Sequence, residues 1–192
     1  MTESTAAPRF RQGAGRLSLD YLRTLRHRGT PMAREELADG AALAQWVRQC
    51  GPALDGAAEV PGEAAVHEAR ALREAVHALL AAARAGDPSA AAPAARDRLN
   101  RAAAHAVPVP RLTARGELRW QAAEPVTAVL ALVARDALEL ATAPALLSRL
   151  HECAAADCGA FFLDASRPGT RRWCSMDVCG NRAKKSAFRA RH

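Results

Sequence analysis

Four of the five cysteines fall within 27 residues, as Cys153, Cys158, Cys174 and Cys179, in the pattern C-x4-C-x15-C-x4-C. Two close pairs with a hairpin-sized gap is the spacing of a structural zinc site. Zinc takes four soft ligands in a tetrahedron, and two tight turns present them in pairs. The intervening residues predict a strand over 159–164, a turn at Arg167-Pro168-Gly169 and a returning strand over 170–173 that ends on Cys174. Cys179 then opens a helix from Gly180 to Arg191, which makes the unit a treble-clef-like zinc finger holding one structural Zn2+. Its core candidates are Phe161, Phe162, Leu163, Trp173, Val178 and Phe188. A unit of about 40 residues rarely folds on so little without a metal or a neighbour. Two other readings stand beside this one. The thiols could be four unrelated buried cysteines, or His151 could join them as the non-thiolate ligand of a catalytic, open zinc site. Cys50, alone at a helix end, reads as a small buried apolar residue.

The end of the chain is basic. From Arg167 onward there are eight Lys or Arg and one acid, a net charge of +7 that equals the charge of the whole chain. Both lysines, Lys184 and Lys185, lie there. Arg182, Lys185 and Arg189 share a helix face at i, i+3 and i+7, Ala183, Ala187 and Phe188 supply an inward side, and Arg171 and Arg172 extend the cationic surface from the preceding strand. With Lys184, Arg191 and Asn181, these residues are the candidates for contacting nucleic acid, through phosphate neutralisation and, for Arg, guanine readout. A solvated basic tail is the plainer reading of the same charge.

The stretch Arg171-Arg172-Trp173-Cys174-Ser175-Met176-Asp177-Val178-Cys179-Gly180-Asn181-Arg182 resembles the signature of the bacterial CGNR zinc-finger proteins, and Cys153-Ala-Ala-Ala-Asp157-Cys158 and Phe162-Leu163-Asp164 fit the same pattern. Leu17-Ser-Leu-Asp20-Tyr21-Leu22-Arg23-Thr24 resembles the L-x-L-D-F-x-N-T opening of the ABATE domain, with Arg23 where that family carries Asn. The resemblance implies a mostly helical N-terminal domain with a small hairpin, followed by the finger, in a stress-related transcription regulator. It implies Cys153, Cys158, Cys174 and Cys179 as the zinc ligands. Asn181, just past the last ligand, would cap the helix or touch a base.

The elements that must position the finger are helical. The chain of 192 residues has 48 Ala and no Ile. Ala-rich segments with scattered Leu and Arg favour helix, so the fold class expected is mainly α. Apolar spacing predicts helices over 17–27, 40–50, 63–85, 89–106 and 125–141, with Asp39 as a cap and Pro144 as a break. Val109, Leu112, Leu118 and Trp120 around Ala114-Arg115-Gly116 read as a hairpin. The domains expected are a disordered 1–14, a helical 15–148 and the finger at 149–192. Asp20 and Thr24, one turn apart and polar on an apolar helix, are either a ligand pocket or buried hydrogen-bonding groups.

These features narrow the function. No nucleophile motif, glycine-rich phosphate loop or HExxH pattern occurs in residues 1–150, so an enzyme is not expected. No apolar run reaches the ~20 residues of a membrane span, and a cytoplasmic protein with reduced thiols is expected. The leading reading is a DNA-binding regulator whose helical domain senses a small-molecule effector or forms a homodimer. The alternative is a zinc-stabilised interaction module with an acidic protein or RNA as its partner.

Overall fold

The computed structural model describes residues 10–55 and 59–189, so the expectation of disorder at residues 1–9 and the Arg191 assignment lie outside the described residues. Seven α-helices, a short 3-10 helix (Pro88–Ala90) and three two-stranded antiparallel ribbons are found among them. In chain order these are α1 (Leu17–Leu22), β1 (Leu25–Arg26), β2 (Arg34–Glu35), α2 (Gly40–Cys50), α3 (Glu63–Arg84), α4 (Pro93–Ala104), β3 (Val109–Leu112) and β4 (Leu118–Gln121). Then follow α5 (Pro125–Thr142), α6 (Pro144–Leu147), β5 (Leu150–Glu152), β6 (Phe161–Leu163) and, after a π-helical turn at Met176–Gly180, α7 (Asn181–Arg189).

Helix α5 is the hub. It packs on α1, α2, α3 and α4. Its buried side chains are mostly small, with Ala128, Ala131, Ala134, Ala137 and Ala141 among Val129, Val133 and Leu140. Alanine at these positions lets neighbouring backbones approach closely at no cost in side-chain entropy. Helix α3 buries the stripe Val66, Ala69, Leu72, Val76, Leu79, Leu80 and Ala83, as its helical period requires. Asp39 caps α2 by accepting from the Ala42 N–H at 2.8 Å. The hairpin β3–β4 pairs Leu112 with Leu118 and Val109 with Gln121, and Gly116 turns it at φ +77°.

The first helix is shorter than its apolar spacing predicts. It ends at Leu22 because Thr24 turns its hydroxyl back to the Tyr21 carbonyl at 2.7 Å, while the Thr24 carbonyl accepts from Glu36 N–H at 2.8 Å. Leu25 and Arg26 pair instead with Glu35 and Arg34. Arg73, buried on α3, donates to both Glu35 carboxylate oxygens at 2.7 and 2.5 Å and to the Thr24 hydroxyl at 3.1 Å, holding this ribbon to the bundle. Burial is the largest influence on Glu35 and opposes ionisation. The Arg73 pair outweighs it and holds the carboxyl below its ordinary value.

The expected disorder through residue 14 fails from Phe10 onward. Phe10 is buried, and its backbone exchanges two hydrogen bonds with the Gln49 side chain, at 3.1 and 2.7 Å. Ala14 then offers its carbonyl to Leu163 N–H at 2.8 Å. Gly15 sits so close to β6 that a Cβ there would lie 2.9 Å from the Leu163 Cβ. The finger is thus docked on the bundle. His77 of α3 stacks on Phe161 at 5.2 Å, and Arg84 of α3 pairs with Glu152 at 2.7 Å. Phe161, Phe162, Leu150 and three of the four cysteines belong to the same buried cluster as the helical core.

Candidate metal centre

The first cysteine pair lies in the connection between β5 and β6. Cys153 N–H donates to the Ala160 carbonyl at 2.9 Å, and Cys158 N–H to Ala155 at 3.0 Å. Gly159, at φ +58°, completes the turn, and a Cβ there would press on the Arg28 carbonyl at 3.1 Å. In the second pair Cys174 precedes the π-helical turn and Cys179 lies within it, the turn being closed by Gly180 N–H to the Ser175 carbonyl at 3.0 Å. Cys174 N–H reaches the Cys153 sulfur at 3.4 Å.

The four Sγ atoms lie within 4.8 Å of one another. Three of their separations are 3.6, 3.7 and 3.7 Å. A zinc–sulfur bond of about 2.3 Å in a regular tetrahedron gives edges of about 3.8 Å, so the donor set fits one zinc ion. All four ligands are thiolates, the arrangement of a closed, structural site. His151 is not among them; its ring leans on Phe162 at 5.8 Å. In the ion's absence the thiols cannot all ionise together. Sulfur hydrogen bonds from Cys158 and Cys174 hold the Cys153 thiol far down, while the hydrogen bonds they make to Cys153 push the other two up, Cys158 to about 11. A bound dication removes that conflict.

The hairpin of the finger differs from the expected one. The partner of β6 is β5, with Leu150 opposite Leu163 and Glu152 opposite Phe161, and residues 170–173 form no strand. Asp164 is the cause. Its buried carboxylate accepts from the Arg171 and Ser166 N–H groups at 2.8 and 2.9 Å, so the chain folds into a closed loop instead of running back along β6. These donors, that of Arg171 first, hold its pKa down at about 2.

The expected nucleic-acid residues divide into two groups. Arg171 is spent inside the finger: its guanidinium donates to the Trp173 carbonyl at 2.8 Å and to the Cys174 carbonyl, and lies over the Phe162 ring at 4.7 Å. Arg182 pairs with Asp157 at 2.8 Å and approaches the Cys179 sulfur at 3.6 Å. Asn181 donates to the Asp177 carbonyl at 3.1 Å, a local bond at the start of α7. Arg172, which lies over Trp173 at 5.2 Å, is exposed, as are Lys184, Lys185 and Arg189. Among the described residues, no acidic partner is seen for these four. Phe188, expected to face inward, is 63 % exposed, because α7 runs outward from its turn.

Asp20 and Thr24 are each engaged in hydrogen bonds. The Asp20 carboxylate accepts from the Ala14 and Gly13 N–H groups at 2.8 and 3.3 Å, and Thr24 is held by Tyr21 and Arg73. Cys50 stays apart from the cluster, its thiol pushed up to about 12 by burial and by Asp20. A group not anticipated from sequence gathers at the cluster instead. Arg11, Arg23, Arg26, His27 and Arg182 line a cleft of about 50 Å³ whose other wall includes Cys158, Cys174 and Cys179. Arg23 donates to the Gln12 carbonyl at 3.0 Å and lies 3.6 Å from Asp20.

Comparison with known families finds two matches. Residues 15–144 match the ABATE family, described as "Putative stress-induced transcription regulator". Residues 149–192 match the CGNR zinc finger. Among curated proteins, none matches the chain.

Proposed function

Since the chain belongs to the ABATE family and ends in a CGNR zinc finger, we propose that it is a cytoplasmic DNA-binding transcription regulator without catalytic activity. One observation carries the reading. Helix α7 leaves the zinc cluster with Lys184, Lys185 and Arg189 exposed, and Arg172 adds a cation beside its root. Zinc fixes the turn at Cys179, the turn aims the helix, and the free cations meet phosphates. Arg171 and Arg182, already engaged in the finger, brace this surface. With about four phosphates neutralised, log K should fall by roughly 3–4 per tenfold rise in salt.

The helical domain serves in this reading as the sensing or dimerising part. A cleft of about 360 Å³ between α3, α4 and α5, floored by Leu72, Val126 and Leu130 and rimmed by Arg101 and Glu124, favours a small effector. Metabolite-library thermal shifts and gel filtration test these two roles.

The experiment for DNA is selection of genomic fragments on the zinc-loaded full chain at about 150 mM salt, beside the triple variant Lys184→Glu, Lys185→Glu, Arg189→Glu. Enrichment of a few fragments by the wild type alone supports the regulator, and an inverted repeat among them reveals a dimer. Equal retention by both proteins removes α7 from the interface. No retention by either, with a protein partner captured after nuclease treatment, replaces DNA by an acidic protein.

A further inference from the structure

The segment before α1 is pinned from three sides. Phe10 is bonded to Gln49, the Gln12 carbonyl accepts from Arg23, and the Gly13 and Ala14 N–H groups converge on Asp20. Arg11 lies between these anchors, partly buried, in the wall of the cleft beside Cys158, Cys174 and Cys179. The other arginines of that wall have partners: Arg26 pairs with Glu36 at 3.0 Å, Arg182 with Asp157 at 2.8 Å, and Arg23 lies near Asp20. Among the described residues Arg11 has no acidic partner, and it shares the cleft with the cations Arg23 and Arg26. Burial, the largest influence on it, also lowers its pKa, and Cys158, Cys174 and Cys179 line the same cleft.

A cation held among cations, half out of water, needs an anion nearby. Four thiolates around one dication form a dianion. In a partly buried site, charges a few ångströms apart interact several times more strongly than in water. The cleft is also small, with room for only a few water molecules.

We propose that the helical domain completes the metal site: Arg11, braced by α1 and α2, supplies from outside the finger the positive charge that offsets the zinc tetrathiolate, so that retention of the ion depends on the seating of residues 10–14. Arg182 plays the same part from within the finger. By reciprocity, zinc in the finger strengthens the seating of that segment on α1 and α2 by the same factor. Metal occupancy is then communicated to the helical domain through an electrostatic contact as well as through the shared core. The inference rests on the zinc site alone and is independent of what α7 binds.

The test is the rate of zinc transfer from the full-length, zinc-loaded chain to an excess of a chromogenic chelator. The variants are Arg11→Gln, Arg11→Lys and, as a control on the β3–β4 turn, Arg115→Gln. Cobalt-substituted absorption and circular dichroism establish that each variant keeps its four-sulfur site and its fold. Arg11→Gln should lose zinc about tenfold faster. Arg11→Lys should stay near the wild-type rate, and raising the salt should narrow the gap. A rate for Arg11→Gln equal to that of Arg115→Gln and the wild type overturns the proposal. So does an equal acceleration in Arg11→Gln and Arg11→Lys, which would place the effect in packing and not in charge.

Discussion

Asp164 and Arg171 show how a single side chain sets the shape of the metal loop. The Asp164 carboxylate gathers the N–H groups of Ser166 and Arg171, and the Arg171 guanidinium closes on the carbonyls of Trp173 and Cys174. Truncation in Arg171→Ala leaves two carbonyls without donors and uncovers Phe162. It should cost about 2–3 kcal/mol in denaturant unfolding of the zinc-loaded protein, with DNA retention falling only as the fold does. His77 gives a pH signature. Burial, helped by Arg28, lowers its pKa from 6.5 to about 4. The unfolded chain therefore binds a proton that the folded chain refuses, and stability present above pH 6.5 is lost as the pH falls toward 4. Because zinc also leaves in acid, the readout is the difference between His77→Phe and the wild type: the variant keeps the ring against Phe161 and should lose less stability between pH 7.5 and 5. The zinc ligands were readable from spacing alone, because thiolate coordination demands pairs on tight turns. The role of Arg171 was not, because a sequence shows the charge of an arginine but not the carbonyls waiting for it.

At the level of elements, periodicity located α2, α3 and α5 well, since each has one face that must be buried. It failed where the periodic run was longer than the element it seemed to mark. Leu17 to Leu25 keeps helical spacing, yet the Thr24 hydroxyl and the Arg73–Glu35 pair end α1 after Leu22. Strand β5 has three residues and no alternation to reveal it, so its pairing with β6 became visible only in the fold. Burial in these elements makes opposite predictions for two substitutions. Ala134→Leu, in the fully buried face of α5, should destabilise by about 1–3 kcal/mol through overpacking. Phe188→Ser, on exposed α7, should shift stability by no more than about 0.5 kcal/mol. Denaturant titration of both variants checks the pair.

For the whole molecule, the two family matches, 15–144 and 149–192, do not correspond to two separate cores. Phe161 and Phe162 share the buried cluster with Trp46, Val76 and Leu140. A chain cut after Leu150 should therefore give an unstable helical domain, not a free-standing one. Chelating the zinc should move the fluorescence transitions of Trp46, in the bundle, and Trp173, in the finger, down together in temperature. Single-tryptophan variants report each one, and a Trp46 transition indifferent to chelation would contradict a common core.

The bond from Leu163 N–H to the Ala14 carbonyl also bears on how the protein is made. The two residues are separated by most of the chain, so the segment around Ala14, made before β6, must wait for it. At about 5–20 residues per second, the interval is roughly 7–30 s. During that time the apolar faces of α1, α2 and α5 lack part of their cover, and the cysteines are not yet assembled. Chaperone shielding and zinc supply during synthesis, more than the intrinsic speed of helix formation, would then set the yield of native protein.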